Sequence, residues 1–234
     1  MSLIKLEHLH KSYSLGDARV EALRDVSLEI GKGAFAAVIG PSGSGKTTLL
    51  NIIGCLDKPT TGRAAVAGQD LDKLNRRRAA EFRGEHIGFV FQGFNLLPVL
   101  TIAENVEFPL VMVKKYSKKK RRTLVREMLE TVGIADQAGK YPDALSGGQK
   151  QRAAIARALA PKPGLVLADE PTANLDHAAA GVVMGLMKRL RDELGVTFIF
   201  STHDHRIIDQ ADLVFKLLDG RLIDNGLEGG AAHA

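Results

Sequence analysis

The segment Gly40–Thr47, which reads GPSGSGKT, has the residue types and spacing of a phosphate-binding loop. Glycines allow the backbone to curl so that several N–H groups point at phosphate oxygens, and the helix that follows adds its positive N-terminal end. In this pattern Lys46 reaches the β- and γ-phosphates, and Thr47 is a ligand of Mg²⁺. The loop therefore predicts binding of a nucleoside triphosphate with Mg²⁺. Its candidate contacts are Gly40, Pro41, Ser42, Gly43, Ser44, Gly45, Lys46, Thr47 and Thr48.

Two adjacent carboxylates form a second candidate site. The residues at 165–168 are all apolar, and Asp169 and Glu170 follow them directly. Asp169 is placed to support Mg²⁺, directly or through a water molecule, because this ion prefers oxygen ligands. Glu170 is placed to polarise or deprotonate an attacking water. The alternative is that the two acids are solvated side chains at the end of a strand. Because they follow a phosphate loop in the chain, a role in hydrolysis of the nucleotide is favoured.

The elements around these residues predict the fold. The phosphate loop follows the apolar run Ala34–Ile39 and precedes a helical pattern at Thr47–Gly54, which is the context that such a loop requires. Later in the chain, apolar runs alternate with a helix: Leu165–Ala168, Val196–Phe200 and Leu213–Leu218 as strands, and Ala178–Leu194 as the helix. Strands and helices in alternation predict an α/β fold with a mainly parallel sheet that is covered on both faces.

Two regions depart from this alternation. The first part of the chain holds short β-like runs and one polar helical stretch: Leu3–His8, Glu21–Ile30, Arg63–Gly68 and Ile87–Phe91 as strands, and Leu71–Arg83 as the helix. From there the pattern becomes helical, since Ser117 can cap a helix that Gly133 ends, and Gln149–Leu159 continues as another helix. We therefore predict a helical insert at about residues 93–160 within the α/β core.

Composition excludes several other classes of protein. The chain has 234 residues, of which 45% are hydrophobic and 25% charged, as in an ordinary globular domain. The N-terminal residues lack the apolar core of a signal peptide, and no apolar run approaches the roughly 18 residues that span a bilayer. A single cysteine, Cys55, suits a reducing compartment. We therefore expect any membrane role to come through a partner chain.

The positive charge is concentrated in one place. Lys114–Arg122 holds seven basic and no acidic residues, and the formal net charge of +5 falls to −2 when those seven are left out. Nucleic-acid binding by the whole chain is therefore not indicated. The run lies at a predicted helix N-terminus, where the dipole disfavours positive charge by about 0.3–1 kcal/mol each. A solvated helix face and a contact with anionic lipid headgroups both remain open as explanations.

The pentapeptide Leu145–Gln149, LSGGQ, makes the chain resemble the ATP-binding cassette (ABC) family, whose signature sequence it is. The resemblance implies that two copies clamp head to tail around ATP. Each signature segment would then complete the ATP site of the other copy. The residues implied to meet that ATP are Ser146, Gly147, Gly148 and Gln149.

Further positions match the ABC family in order along the chain. The resemblance implies that Tyr13 stacks on adenine and that Gln92 contacts Mg²⁺ and the attacking water. It also implies that Asp176, in Ala173–Asp176, acts across the dimer, and that His203 holds the γ-phosphate. No catalytic residue of the family is missing, so we expect an active ATPase. Its implied catalytic residues are Lys46, Gln92, Glu170 and His203, and its implied metal ligands are Thr47, Gln92 and Asp169.

The resemblance also implies an architecture. It is a RecA-like P-loop core with a mainly parallel sheet, an N-terminal antiparallel β subdomain and an inserted α-helical subdomain. The core would comprise residues 1–92 and 161–226, and the helical signature subdomain residues 93–160. Residues 227–234 would form a flexible tail.

The segment Phe94–Leu110 resembles that of the lipoprotein-releasing (LolD-type) and macrolide-exporting (MacB-type) branch. In that branch it abuts a permease, so the resemblance implies a separate membrane permease and a place on the cytoplasmic face of the membrane. Phe94, Leu96, Leu97 and Leu100 would form an apolar socket or else pack within the insert, and the sequence leaves both open. In this branch the permease, and not the ATP-binding chain, recognises the transported substrate.

Two alternatives to transport stay open. One is an FtsE-like ATPase that signals across the membrane to cell-wall enzymes without transporting anything. The other is a soluble ABC protein of DNA repair or translation, although those usually carry two cassettes or a long coiled coil. The cassette alone does not separate transport from signalling.

Overall fold

The structure is a computed structural model that describes residues 2–16, 18–113 and 116–228. The chain divides into two compact units, residues 1–80 with 197–234, and residues 81–196. The strands are β1 (Ser2–Leu15), β2 (Ala18–Gly31), β3 (Phe35–Ile39), β4 (Thr61–Val66), β5 (Gln69–Asp70), β6 (Ile87–Phe91), β7 (Leu165–Asp169), β8 (Thr197–Thr202), β9 (Leu213–Leu218) and β10 (Arg221–Glu228). The helices are α1 (Lys46–Ile53), α2 (Arg76–His86), α3 (Ile102–Met112), α4 (Lys118–Thr131), α5 (Gly147–Leu159), α6 (His177–Leu194) and α7 (His205–Ile208), with short 3₁₀ helices at Ala135–Gln137 and Pro142–Ala144.

The first unit contains an antiparallel sheet with the strand order β2-β1-β4-β5. β1 and β2 form a long hairpin, and β4 pairs with the other edge of β1 as far as His10. Apolar residues of β1 such as Ile4 and Leu6 are buried while Lys5 between them is exposed, as expected for a sheet with one solvated face. The predicted N-terminal antiparallel sheet is confirmed, and β1 continues past the predicted end at His8 to Leu15.

Parallel strands form the core of the fold. In the first unit β3 pairs in parallel with β8 on one side and β9 on the other, and β10 pairs antiparallel to β9. In the second unit β6 and β7 pair in parallel. Residues 35–38 are fully buried, because a strand of a parallel sheet has helices over both faces and therefore reads as a continuous apolar run. The predicted mixed α/β class is confirmed.

The parallel pairing also positions candidate chemistry in the first unit. Ile39, the last residue of β3, lies opposite Thr202, the last residue of β8. The phosphate loop follows Ile39 and His203 follows Thr202. Both therefore leave the sheet at the same edge, beyond the carboxyl ends of its strands, where α/β proteins bind their ligands.

Several predicted boundaries were wrong. The helix predicted at Leu71–Arg83 begins only at Arg76, because Leu71 and Leu74 are buried in the turn after β5, where the N–H of Leu71 donates to Ala64 O. Helix α3 and strand β10 were not predicted. Of the predicted tail at 227–234, the first two residues end β10 and the rest lie outside the described residues. The predicted limits of the helical insert, 93–160, stay a prediction.

Candidate functional site

The phosphate loop leads into α1 through Gly45. This residue is the N-cap of α1 and adopts a left-handed conformation with φ 105°. A Cβ atom at Gly45 would lie 2.5 Å from Ala22 O and 2.9 Å from Leu23 Cδ2, so no other residue fits without a shift of the backbone. Lys46 is buried, and its Nζ donates to Gly40 O at 2.8 Å and to Pro41 O at 2.9 Å. The lysine side chain thus lies inside the loop, where it is predicted to bind the phosphates of the nucleotide.

The N-terminus of α1 differs from those of the other long helices. The N-cap side chains of α3, α4, α5 and α6 each accept a hydrogen bond from a backbone N–H of the first turn, whereas Gly45 leaves α1 without such a cap. The Ser44 Oγ is buried and has no hydrogen-bond partner. Uncapped N–H groups and an unpartnered hydroxyl are donors for an anion, so the loop fits the phosphates of a nucleotide.

Tyr13 lies on β1, and 37% of its surface is exposed. Its hydroxyl donates to Asp57 Oδ2 at 2.8 Å, and Lys11 Nζ lies 4.8 Å from the centre of its ring. Partial burial and the bond to Asp57 raise the pKa of Tyr13, against a hydrogen bond with Thr48 that lowers it. The ring is therefore an ordered and partly exposed aromatic surface, as the predicted contact with adenine requires.

The two carboxylates lie where β7 ends. Asp169 is the last residue of the strand, and Glu170 follows it with φ 45°. A residue other than glycine in this left-handed region costs on the order of 1–3 kcal/mol, and such conformations cluster at functional sites. The carbonyl of Glu170 accepts from Ala173 N at 3.2 Å, which begins a tight turn towards Asp176. This geometry suits a glutamate that is held in place for chemistry.

Three short segments meet in the second unit, and we call them the three-loop junction: Gln92–Asn95, Ser146–Gly148 and Ala173–Asp176. Gln92 is exposed just after β6, and its carbonyl accepts from Asn174 Nδ2 at 2.9 Å. A Cβ atom on Gly147 would lie 3.2 Å from Leu175 Cδ2, 3.5 Å from Asn174 O and 3.9 Å from Phe94 Cζ. The junction brings residues predicted from three separate motifs into contact.

The signature segment begins α5 with a capping box. Ser146 Oγ accepts from Gln149 N at 3.3 Å, and Gln149 Oε1 accepts from Ser146 N at 2.9 Å. Ser146 is exposed, and the two residues that follow it, Gly147 and Gly148, have no side chains that could cover it. Asp176 caps α6 in a similar way, accepting from Ala179 N at 2.8 Å. The predicted signature residues therefore lie at the capped N-terminus of α5, on the surface of this unit.

Sequence reasoning missed Arg157. The guanidinium of Arg157 on α5 donates to Phe94 O at 2.9 Å and also to Asn95 O, and burial lowers its pKa. It holds the backbone just after Gln92, where Phe94 and Asn95 both have positive φ. The sequence signal that could have found it is a single arginine in the otherwise apolar stretch 153–160. A guanidinium buried in such a stretch needs hydrogen-bond acceptors. Asn174 belongs to the predicted motif Ala173–Asp176, but its hydrogen bond to Gln92 O was not predicted.

His203 follows β8 in the first unit, and its side chain is exposed. The N–H of the next residue, Asp204, donates to Thr202 Oγ1 at 3.1 Å, which fixes the turn that carries the histidine. The first unit thus holds Tyr13, the phosphate loop and His203, and the second holds Gln92, the two carboxylates and the signature segment.

An apolar groove of about 270 Å³ lies on the second unit. Most of its lining is aromatic, aliphatic or glycine: Gly84, Ile87, Gly88, Phe89, Phe91, Asn95, Phe108, Pro109, Val113, Arg157, Ala158 and Pro161. Phe108 is 45% exposed, and Val99, in the loop before α3, is 80% exposed. The fully buried Asn105 holds the loop that carries Val99, because its amide bonds the backbone of Leu97, Leu100 and Thr101. Of the predicted socket, Phe94, Leu96 and Leu100 are half-buried and Leu97 is 38% exposed, so the socket stays a prediction.

Part of the basic run has structural partners. Arg121 Nε donates to Glu107 Oε1 at 2.7 Å and its Nη1 donates to Tyr116 O at 2.6 Å. Lys120 Nζ lies 4.0 Å from the centre of the Tyr116 ring. Lys114 and Lys115 lie outside the described residues. Among the residues that the structure describes, no helix has the length and apolar character that crossing a membrane requires.

Comparison with known proteins places these features in a family. Residues 23–173 match the ABC transporter family. An uncharacterized ABC transporter ATP-binding protein of Thermotoga maritima is 45% identical over 94% of this chain and 93% of its own. The lipoprotein-releasing system ATP-binding protein LolD of Francisella tularensis is 41% identical over 94% of this chain and 95% of its own.

A longer relative and a solved structure extend the comparison. The macrolide export ATP-binding/permease protein MacB of Salmonella choleraesuis is 45% identical over 96% of this chain, which matches only 34% of MacB. The ATP-binding cassette MJ0796, solved as a dimer in a post-hydrolysis state with ADP and Pi, has a TM-score of 0.88 and 42% identity. That match covers 96% of this chain and 98% of the solved one.

Proposed function

Because the chain belongs to the ABC transporter family, and is therefore an ATPase coupled to transport, we propose that it drives a membrane permease of the lipoprotein-releasing or macrolide-exporting type. Relatives with those two names match nearly the whole chain. The observation that carries ATP binding in this proposal is the open N-terminus of α1, where Gly45 provides no cap and Ser44 Oγ has no partner. These donors suit the phosphates of ATP.

Each residue of the ATP site has a role in this proposal. Tyr13 stacks on adenine, and Lys46 with the loop N–H groups binds the β- and γ-phosphates. Glu170 accepts a proton from water, whose oxygen bonds to the γ-phosphorus as the bond to ADP breaks. His203 donates to the γ-phosphate and stabilises the charge that develops there. The products are ADP and phosphate.

Mg²⁺ fits the donors that the chain offers. Thr47, Gln92 and Asp169 supply a hydroxyl, an amide oxygen and a carboxylate, which are the hard oxygen ligands that this ion prefers. When bound, Mg²⁺ neutralises charge on the phosphates and so favours attack by water.

A second copy completes the site in this proposal. Ser146, Gly147, Gly148 and Gln149 of each copy meet the γ-phosphate held by the other copy, and Asp176 acts across the same interface. The exposed position of Ser146 at the start of α5 supports this role, as does the dimeric state of the similar cassette MJ0796. Loss of the γ-phosphate removes these contacts, and the dimer opens.

The glutamate provides the sharpest test. Glu170→Gln keeps the size of the side chain but removes the base, so the variant binds ATP, does not hydrolyse it and accumulates as a dimer. Size-exclusion chromatography with light scattering in saturating Mg-ATP measures the dimer, and phosphate release measures hydrolysis. The wild type with ADP serves as the monomer reference. A variant that stays monomeric in ATP contradicts the proposed dimer.

The permease docks on the apolar groove in this proposal, close to the Phe94–Leu110 segment. Phe89, Phe91 and Phe108 supply the apolar surface for a short amphipathic helix of the permease. This places the chain on the cytoplasmic face of the cell membrane. The membrane protein that copurifies with the tagged chain identifies the branch, and a permease tied to cell-wall enzymes would favour signalling over transport.

The basic run extends the same proposal to the membrane surface. Arg121 and Lys120 already have partners, so a contact with anionic lipid would rest on Lys118, Lys119 and Arg122. Replacing these three by glutamine should weaken sedimentation with anionic phosphatidylserine vesicles and leave neutral phosphatidylcholine vesicles unaffected. Equal sedimentation of variant and wild type would show that the run is only a solvated face.

A further inference from the structure

Asp57 joins two elements of the first unit that the sequence places far apart. Its Oδ1 accepts from Lys11 Nζ at 2.6 Å and from Lys58 N at 2.7 Å, and its Oδ2 accepts from Tyr13 OH at 2.8 Å. Partial burial acts to raise the pKa of Asp57, but the bonds from Lys11, Tyr13 and the Lys58 N–H outweigh it and leave the pKa below its usual value. The carboxylate is therefore ionised and fully engaged near neutral pH.

Asp57 is also anchored to the helix that follows the phosphate loop. The N–H groups of Leu56 and Asp57 donate to Asn51 O at 2.8 and 3.2 Å, and Asn51 belongs to α1. Near the other end of α1, Thr48 hydrogen-bonds the hydroxyl of Tyr13. The Tyr13 side chain is thus linked to α1 directly through Thr48 and, through Asp57, to Asn51.

The sheet itself holds this part of β1 only weakly. The pairing of β1 with β4 ends at His10, so Tyr13 has a backbone partner, Val20, on one side only. Beyond His10, β1 still pairs with β2, and on its other side it is linked by bonds from Lys11 to Asp57 and Lys58 O and from Ser12 N to Thr60 Oγ1. On that side the Tyr13 hydroxyl is held by Asp57 and Thr48, so the position of the ring depends on these side-chain bonds as well as on β2.

We infer that Asp57 is a positioning residue that sets the distance between the adenine surface of Tyr13 and the phosphate loop. The inference rests on the proposed function and deepens it. Lys11 lies over one face of the Tyr13 ring, so in this inference the base stacks on the other face. Helix α1 begins at the phosphate loop, and Asp57 is bonded to Asn51 in the last turn of that helix. Because Asp57 also binds the Tyr13 hydroxyl, this residue links recognition of the base to recognition of the phosphates. A ring held in place in advance loses less entropy when adenine stacks on it.

The test separates base binding from phosphate binding. Titration calorimetry of the full chain measures Kd for Mg-ATP and for Mg-tripolyphosphate, which has the phosphates without the base. For Asp57→Ala we expect Kd for ATP to rise by about three- to tenfold, as when a hydrogen bond to a charged group is lost, and Kd for tripolyphosphate to stay unchanged. In hydrolysis assays KM for ATP should rise while kcat at saturation is kept.

Tyr13→Phe provides a second variant, because it keeps the ring and removes the hydroxyl that both Asp57 and Thr48 bind. It should raise Kd for ATP by at least the factor of Asp57→Ala, and the double variant should lose no more than Tyr13→Phe alone. If Asp57→Ala does not fold, Tyr13→Phe still decides the matter. The matched control is Asp70→Ala, which removes an ion pair with Lys73 from the same antiparallel sheet and should leave both Kd values unchanged.

Two outcomes overturn the inference. Equal losses for ATP and tripolyphosphate would show that Asp57 only supports the fold around the loop. No loss for either ligand would show that Tyr13 is held without it. Failure of the proposed function has a different result, because the wild-type chain would then bind neither ligand.

Discussion

Helix α1 begins after a segment rich in serine and glycine, and α5 begins with Gly147 and Gly148 directly after Ser146; both N-termini are predicted to meet the phosphates of ATP. Their local structures differ. The N-terminus of α1 has no side-chain cap, and the neighbouring Ser44 Oγ has no partner. The N-terminus of α5 is closed by Ser146 and Gln149 and lies against Asn174 and Leu175.

This difference shows two ways of binding one phosphate chain. The phosphate loop offers several uncapped N–H groups together with Lys46, so it can bind a nucleotide by itself. In the signature segment the N–H groups of Ser146 and Gln149 are bonded internally by the capping box. However, the Ser146 hydroxyl that accepts from Gln149 still has its own proton to donate. We therefore expect α1 to determine affinity and α5 to determine whether the bound ATP is hydrolysed.

The largest expected effect comes from Gly45→Ala. A methyl group there would lie 2.5 Å from Ala22 O, at a φ of 105° that alanine rarely adopts. We expect ATP binding to weaken at least about a hundredfold, with a loss of stability of about 2 kcal/mol or more. Calorimetric titration and thermal unfolding measure the two effects.

Gly33→Ala is the matched control for Gly45→Ala. Gly33 also has a positive φ, 76°, but its methyl group would have no neighbour within 4 Å. It therefore shows the cost of the backbone conformation alone, and ATP binding should be kept. Similar ATP affinities of the two variants would show that the close packing at Gly45 is not what shapes the loop.

Ser146→Ala is expected to separate hydrolysis from binding. The variant loses a hydroxyl predicted to meet the ATP of the second copy, so hydrolysis should fall at least about tenfold while ATP binding to the isolated chain is nearly kept. Loss of the cap should also cost about 1 kcal/mol of stability. Ser117→Ala, which removes the cap of α4, has the same structural cost and should leave hydrolysis unchanged. Equal losses of binding and hydrolysis in Ser146→Ala would argue against action on a second copy.

The smallest expected effect comes from Gly147→Ala at the three-loop junction. The new methyl group would lie 3.2 Å from Leu175 Cδ2, so one flexible side chain must move by a few tenths of an ångström. We expect hydrolysis to fall about two- to fivefold, with a cost in stability below about 1 kcal/mol. Steady-state phosphate release measures the change. The double variant Gly147→Ala/Leu175→Ala should recover activity, and if it does not, the contact with Leu175 is not the cause.

Local signals explain which elements were predictable. Ser117 and Gly133 marked both ends of α4 because capping depends only on neighbouring residues. Helix α3 was missed although Thr101 and Glu104 form a capping box, a local signal of a helix start that the sequence contains. The start of α2 was predicted too early. Leu71 and Leu74 have helical spacing, but they are buried in the turn after β5 and not in a helix.

The sequence by itself determined the family, the α/β class and the motifs of the candidate site, because each of these depends on residue types at short spacing. Only the tertiary structure showed that Asn174, Arg157 and Gly147 join three loops and that Asp57 holds Tyr13. Those contacts join residues up to 82 positions apart. They depend on how strands and helices pack, so no local pattern predicts them. For the same reason the open N-terminus of α1 became informative only beside the capped helices of the same chain.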